Sequence, residues 1–499
     1  MDIMRTKSIE QSLRDTDEPE YRLKKSLSAL DLTVFGVGII IGAGIFTLTG
    51  RVANTMSGPA VVLSFIVAAL CCGTAALCYA EFAAAVPVSG SAYTFCYASM
   101  GEFVAWIIGW NLVMELVLAA AAVSQGWSSY VSVLLGHMGF SLPARFSHGG
   151  VVDLPAVVLV LVLGCLVVVG IKESMRVETV LVGLKVAIVL FVIVAGIGYI
   201  NPDNYRPFIP AAVPAPAEAS GLTQPLIQAV LGLQQSAFGL SGIFSGAALV
   251  FFAYLGFDVV ATAAEETRNP QRDLPRGIIG SLVICTALYC AVAVVVTGMV
   301  RYDQIKPSAA LAEAFSHHGK TWMATLIAAG AVVGLTTVVL TMLTGCARIV
   351  FAMSRDHLLP MRLAKVHPTY RTPWLIAAIL TVAIALLAGF TPVGRLEELV
   401  NIGTLSAFIL VSIGVPVLRR RQPDLPRPFR VPGSPTLPLL SAAVCIWLSL
   451  NLAVETWLFF LVWLVAGLGV YAAFGYRHSR VGTGEQLPQE PARALADHH

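Results

Sequence analysis

Twelve apolar stretches of roughly twenty residues or more, parted by polar links, fill most of this 499-residue chain. They lie at roughly 30–50, 59–87, 103–135, 152–170, 177–200, 241–264, 277–300, 322–353, 374–391, 396–418, 435–453 and 456–476. A helix rises ~1.5 Å per residue, so a run of about 20 residues crosses the ~30 Å hydrocarbon core of a bilayer. Inside that core every backbone polar group must find a partner within the protein, which a helix provides. Composition agrees: 57% of residues are hydrophobic and 12% charged, against about 25% charged in a soluble domain. The expected fold class is an all-α polytopic membrane protein with twelve transmembrane helices.

Basic residues set the orientation. With a cytoplasmic N-terminus, inner loops and tails hold 23 of the 32 Lys and Arg residues, outer loops hold 7, and Lys185 and Arg348 fall within apolar stretches. Excess Lys and Arg marks the cytoplasmic side, so both termini are placed inside a cell membrane. The first 28 residues are polar and charged, unlike a cleavable signal peptide. Residues 201–240 form the longest outer loop, rich in Pro and Ala, and read as an ordered or semi-rigid cap. All nine cysteines lie in or beside apolar segments, so no disulfide framework is expected and the thiols read as small buried hydrophobes.

Two segments look broken. The first contains "FGVGIIIGAGIFTLTG", with Gly36, Gly38, Gly42 and Gly44; glycine destabilises a helix interior. The sixth contains "FFAYLGFDVVATAAEE", with Gly256 deep in the apolar run and Asp258 just after it. Segments one and six stand at equivalent places if the core is two five-helix halves. Five is odd, so the second half enters the membrane from the opposite side. Glycine-interrupted segments in matching positions of inverted halves point to a transporter binding site. Unwinding frees backbone N–H and C=O groups, each costing several kcal/mol unless paired. A helix N-terminus starting near Gly44 offers N–H groups to a carboxylate, and helix C-terminal ends offer carbonyls to an ammonium. A free α-amino acid carries both poles on one carbon. The alternative is close helix packing, because Gly38/Gly42 and Gly242/Gly246 are GxxxG pairs.

Charges within the spans are functional suspects, since each costs ~2.5–3.5 kcal/mol at the bilayer centre. Glu115 is twelve residues past Phe103, about 18 Å along a helix. It faces a cationic substrate side chain, carries a coupling proton, pairs with an internal base, or simply bonds a neighbouring helix. Lys185 is seven residues past Glu178, about 10 Å deep; it is either an ammonium that gains and loses a proton during a cycle or one that snorkels to the inner surface. Thr336, Thr337, Thr341 and Thr344 are hydroxyl candidates for it, or bond the backbone of their own helix. Asp258 reads as an anchor for the sixth-segment break. Glu265, Glu266 and the arginines of "TRNPQRDLPRG", joined by Glu81, suggest inner salt bridges. Neither a zinc-protease motif nor a phosphate-binding loop occurs, and the nine histidines fall in loops, tails or helix ends. A membrane enzyme is therefore not expected, nor is any metal, cofactor or nucleic-acid partner. A non-transporting sensor would carry a large soluble domain, for which the tails are short.

Together, "GVGIIIGAGIFTLTG", "YAEFAAAVPVSGSAYTF", "GWNLVMEL", "FFAYLGFDVVATAAEETRNPQRDLPRGI" and "RIVFAMSRDHLLP" resemble the amino acid–polyamine–organocation superfamily, nearest its bacterial cationic amino acid transporter branch. The resemblance implies a LeuT-like five-plus-five inverted repeat over 29–200 and 241–418, with added helices at 435–476 and tails at 1–28 and 477–499. It implies a permease for L-amino acids, cationic or small neutral, working by proton symport or by exchange. Carried over by motif, backbone N–H groups of Ala43 and Gly44 receive the carboxylate. Carbonyls of Ile40, Phe252, Ala253 and Leu255 receive the α-ammonium, and Phe252 gates the outer side. Lys185 matches the lysine that replaces a sodium ion and handles the coupling proton, and Glu115 matches the third-segment glutamate of bacterial members. Ala43 stands where some relatives have a hydroxyl residue, which leaves only the backbone contact. No cysteine lies in the outer loop after segment three, so no disulfide-linked heavy chain is expected. The implied partners are the amino acid, protons and the lipid bilayer.

Overall fold

A computed structural model describes residues 27–85, 91–170, 175–214, 221–234, 236–370 and 372–483. The ends of both tails, residues 86–90 of the Glu81 motif, Lys172, Arg371 and the side chains of Arg176, Glu178 and Glu265 lie outside the described residues. Twelve helices dominate: α1 Ala29–Ile40, α2 Val61–Ala85, α3 Glu102–His137, α4 Leu154–Val169, α5 Met175–Ile197, α6 Gly239–Val250, α7 Pro270–Met299, α8 Thr321–Arg355, α9 Trp374–Phe390, α10 Val393–Arg421, α11 Thr436–Ser449 and α12 Val454–Val470. Among the described residues, eight helical runs are long and apolar enough to cross a bilayer, and α1, α4, α9 and α11 are shorter apolar helices. The molecule is a multi-pass helical membrane protein. Large apolar side chains such as Val180, Val194, Val462 and Val465 point outward from α5 and α12, as lipid-facing surfaces require.

Local chemistry starts the helices that matter most. Ser28 and Asp31 form a reciprocal capping box ahead of α1, with Ser28 N donating to Asp31 Oδ2 at 2.9 Å. Asn269 stands at the N-cap of α7, which opens with Pro270 at its first position. This helix begins two turns before the apolar run at 277–300, because its first turns are polar yet helix-compatible. In the packed core α3 lies along α8 and α10, α2 along α7, and α1 between α7 and α5. Helices α4 and α9 pair at one side, and α11 rests on α10 and α2.

The described residues of the 201–240 loop, 201–214, 221–234 and 236–240, are held by backbone pairing. Val213–Pro214 pairs antiparallel with Ser236–Ala237. Leu226 N and Ile227 N donate to Leu452 O and Leu450 O at 2.9 and 2.8 Å, tying the loop to the α11–α12 turn.

Glu81 corrects one expectation. Its carboxylate binds Arg419 through Nε at 2.8 Å and Nη2 at 2.6 Å, and it accepts from Val431 N at 2.7 Å. Arg427 stands 3.8 Å away and donates to the carbonyls of Leu418, Gln422, Pro423 and Leu425, closing the end of α10. The partners of Glu81 thus come from the last turn of α10 and the α10–α11 link rather than from the arginines at 268–276. Glu81→Gln is expected to lower unfolding stability by roughly 3 kcal/mol, the scale of breaking a buried pair. Thermal unfolding of the purified variant beside wild type measures it.

Candidate functional site

Both broken segments are broken in space. Helix α1 stops at Ile40, Ile41 turns to ψ 91°, and a wide turn over Gly44–Leu48 restarts the helix. Helix α6 stops at Val250, tightens over Phe251–Tyr254 and opens at Leu255, whose ψ is 140°. Gly256 then takes φ +109°, open to glycine and strained for other residues, before a tight helical stretch at Val259–Glu266. The breaks touch: a Cβ built on Gly44 would lie 2.3 Å from both Cα and Cβ of Ala253. Glycine at 44 is what allows this approach. The packing alternative holds for Gly38, Gly242 and Gly246, where a Cβ would meet Val182, Met56 and Ser64 at 2.2, 2.1 and 2.9 Å.

Several of the carbonyls at these breaks have partners, as a dry interior demands. The Lys185 ammonium donates to Gly38 O at 2.8 Å, from α5 into the last turn of α1. The Tyr289 hydroxyl, on α7, lies 2.6 Å from Ile40 O and 2.8 Å from Ala253 O. Asn401, on α10, donates to Ala248 O at 2.8 Å and Leu249 O at 3.1 Å. Tyr130, on α3, donates to Phe46 O at 2.6 Å. Phe252 O accepts a long 3.3 Å bond from Leu255 N, and Ala43 O accepts from Thr47.

The structure therefore gathers Ile40, Ala43, Gly44, Phe252, Ala253 and Leu255, all buried, around one junction. Lys185 is likewise buried, its stem packed on Gly334 of α8, and it does not snorkel to the surface. The hydroxyl protons of Thr336, Thr337, Thr341 and Thr344 go to carbonyls of their own helix at 2.8 to 2.9 Å. They are helix back-bonding groups, not donors to a site.

Glu115 belongs to a different group. It is buried against α10, where Gly403 and Thr404 face it and Asp258 is its charged neighbour. Its Oε2 has no hydrogen-bond partner, nor do the buried Tyr79 hydroxyl and Asn111 Oδ1. Asp258 is buried two residues past Gly256 and stands at the N-cap of the tight stretch Val259–Glu266, to which its side chain makes no capping hydrogen bond. At the other end of the junction Arg51, in the half-helix Thr49–Val52, pairs with buried Glu397 of α10.

Sequence reasoning missed Tyr289, Asn401 and Tyr130. Each is a polar-tipped residue within an apolar run, and a buried Tyr or Asn must find a partner. That signal says a partner exists without saying which carbonyl it is.

Comparison with known proteins decides the family: the amino acid permease family model matches residues 27–472. The chain belongs to the amino acid permease family. It is 45% identical over 488 residues to the branched-chain amino acid permease BcaP of Bacillus subtilis (strain 168), covering 96% of this chain and 99% of that one. It is 43% identical over 463 residues to the methylthioribose transporter of the same organism, covering 92% and 95%. Against cationic amino acid transporter 4 of Mus musculus identity is 37% over 431 residues, covering 85% of this chain and 63% of that one. The expectation of an amino acid–polyamine–organocation permease holds.

Proposed function

We propose that this permease is a proton-coupled importer of L-amino acids, working by alternating access around the junction of the two breaks. In this reading it sits in the plasma membrane with twelve spans, five of them repeated in inverted orientation, and both termini in the cytoplasm. The observation that carries the reading is the meeting of the breaks at Gly44 and Ala253, with the Lys185 ammonium on Gly38 O one turn below. Backbone N–H groups at Ala43 and Gly44 take the carboxylate, and the carbonyls of Ile40, Phe252, Ala253 and Leu255 face the ammonium. Carbonyl oxygens have two lone pairs, so those already bonded still accept an ammonium proton. The substrate favoured is a neutral branched amino acid, because the junction is walled by apolar Ile39, Ala43, Phe252 and Val338 and a relative of high identity is a branched-chain permease. A binding screen of the purified protein against the twenty L-amino acids and methylthioribose, followed by uptake of the hits with and without a pH gradient, tests this. Uptake indifferent to the gradient identifies an exchanger, and binding without counterflow identifies a sensor.

One observation favours a second reading, a cationic substrate: Glu115 Oε2 is buried and unpartnered. Glu115→Gln is then expected to weaken lysine and arginine uptake by roughly tenfold or more relative to leucine, the scale of a lost charged hydrogen bond. Equal loss for all substrates shows Glu115 to be structural or proton-handling.

A further inference from the structure

Beyond α12 the chain turns under the side that its basic residues place in the cytoplasm. A short helix Tyr476–His478 ends at Ser479, whose backbone is extended at φ −53° and ψ 136°, and Arg480–Thr483 follows. Arg477 and His478 are exposed, yet Ser479 is fully buried. Its hydroxyl donates to Glu102, a buried carboxylate in the first turn of α3. Glu102 also accepts from the Tyr471 hydroxyl at 2.9 Å and the Tyr97 hydroxyl at 3.2 Å. Tyr97 belongs to the helix Ser91–Ser99, which lies between α2 and α3 in the chain. One residue past Ser479, Arg480 N donates to Asp356 O at 3.3 Å. Asp356 stands at the end of α8, and its Oδ2 accepts from Tyr93 of the same helix Ser91–Ser99 at 2.7 Å. Two acids, at the start of α3 and the end of α8, thus each hold one tyrosine of that helix and one residue of the C-terminal segment.

The helix Ser91–Ser99 packs on α3 and α10 and on Val259–Glu266, the stretch that follows the second break. Whatever fixes this helix therefore restrains the inner part of the sixth segment. We infer that residues 476–483 form an inner strap, an autoinhibitory contact in which Ser479 on Glu102 holds the helix Ser91–Ser99 down and slows the opening of the inner side. A buried carboxylate that loses one of its hydroxyl donors holds the others in a weakened network. The strap is built to release: one buried hydroxyl lies beside exposed residues, and segments with few buried contacts open at the low end of the stability range. The inference rests on alternating access around the two breaks, and it adds to that reading a brake supplied by the chain itself.

Cys96, buried on the helix Ser91–Ser99, is a native reporter, because a water-soluble maleimide reaches it only when the helix lifts. The test follows Cys96 labelling by peptide mass on full-length purified protein, and amino acid counterflow in proteoliposomes. Ser479→Ala is expected to speed labelling roughly tenfold, the scale of a lost bond to a charged group, and to speed counterflow by about twofold or more, as release of a gate does. Ser479→Thr keeps the hydroxyl and is expected to match wild type in both. A chain ending at His478 lacks the docking residues and is expected to label at least as fast as Ser479→Ala. Wild-type labelling in both Ser479→Ala and that shortened chain overturns the strap. Faster labelling with unchanged or slower counterflow assigns the contact to stability alone and overturns the brake. Wild-type protein without counterflow of any amino acid contradicts the transport reading itself, an outcome distinct from the Cys96 result.

Discussion

In proteoliposomes, Lys185→Ala is expected to reduce pH-gradient-driven accumulation of amino acid to background. Lys185 is buried, reaches from α5 to Gly38 O at 2.8 Å, and rests its stem on Gly334 of α8. It thus joins three elements at the foot of the first break, where loss or gain of one proton alters how α1 is held. The alanine variant leaves Gly38 O without this donor, at a cost of about 1–3 kcal/mol, and removes the group that exchanges a proton. Lys185→Arg separates these effects. A guanidinium still donates to the carbonyl but does not deprotonate, so substrate counterflow is expected to survive in that variant while net accumulation fails. Unchanged accumulation in Lys185→Ala removes the coupling role.

The second large effect is expected at Gly44. A methyl group there would lie 2.3 Å from both Cα and Cβ of Ala253, and main chain cannot rotate away as a flexible side chain can. Gly44→Ala must therefore push the half-helix of segment one off the second break. A displacement near 1 Å of groups that must act together costs on the order of a hundredfold, and substrate binding is expected to fall by about that much. Gly42→Ala is the control. Its added Cβ would meet Val338 at 3.5 Å, an ordinary contact, so binding is expected to stay within about twofold. The two glycines are neighbours in the same motif, and only the structure tells them apart. Measured affinities in the reverse order contradict the geometry.

Much of this architecture was legible before any coordinates. Each of the twelve apolar segments carries one of the helices α1 to α12, because length and continuous hydrophobicity are local properties. The breaks were legible too, since Gly44 and Gly256 stand where helix-destabilising residues have no local excuse. Lys185 was legible because a lone ammonium in an apolar run is costly. What sequence did not show was pairing at a distance. Glu81 was grouped with the arginines nearest its expected membrane end, yet it joins Arg419, 338 residues away. Tyr289 and Asn401 looked like ordinary members of their segments until the carbonyls beneath them appeared. For the threonines of α8 the second of the two readings holds, because a hydroxyl three or four residues from a helix carbonyl has a partner already in place.

A density map of the protein with a bound amino acid, chosen from the binding screen, tests the central claim most directly. The prediction is a ligand whose carboxylate lies on the backbone N–H groups of Ala43 and Gly44 and whose ammonium lies on the carbonyls of Ile40 and Ala253. A ligand held instead by side chains around Glu115 and Asp258, with both breaks unoccupied, contradicts it.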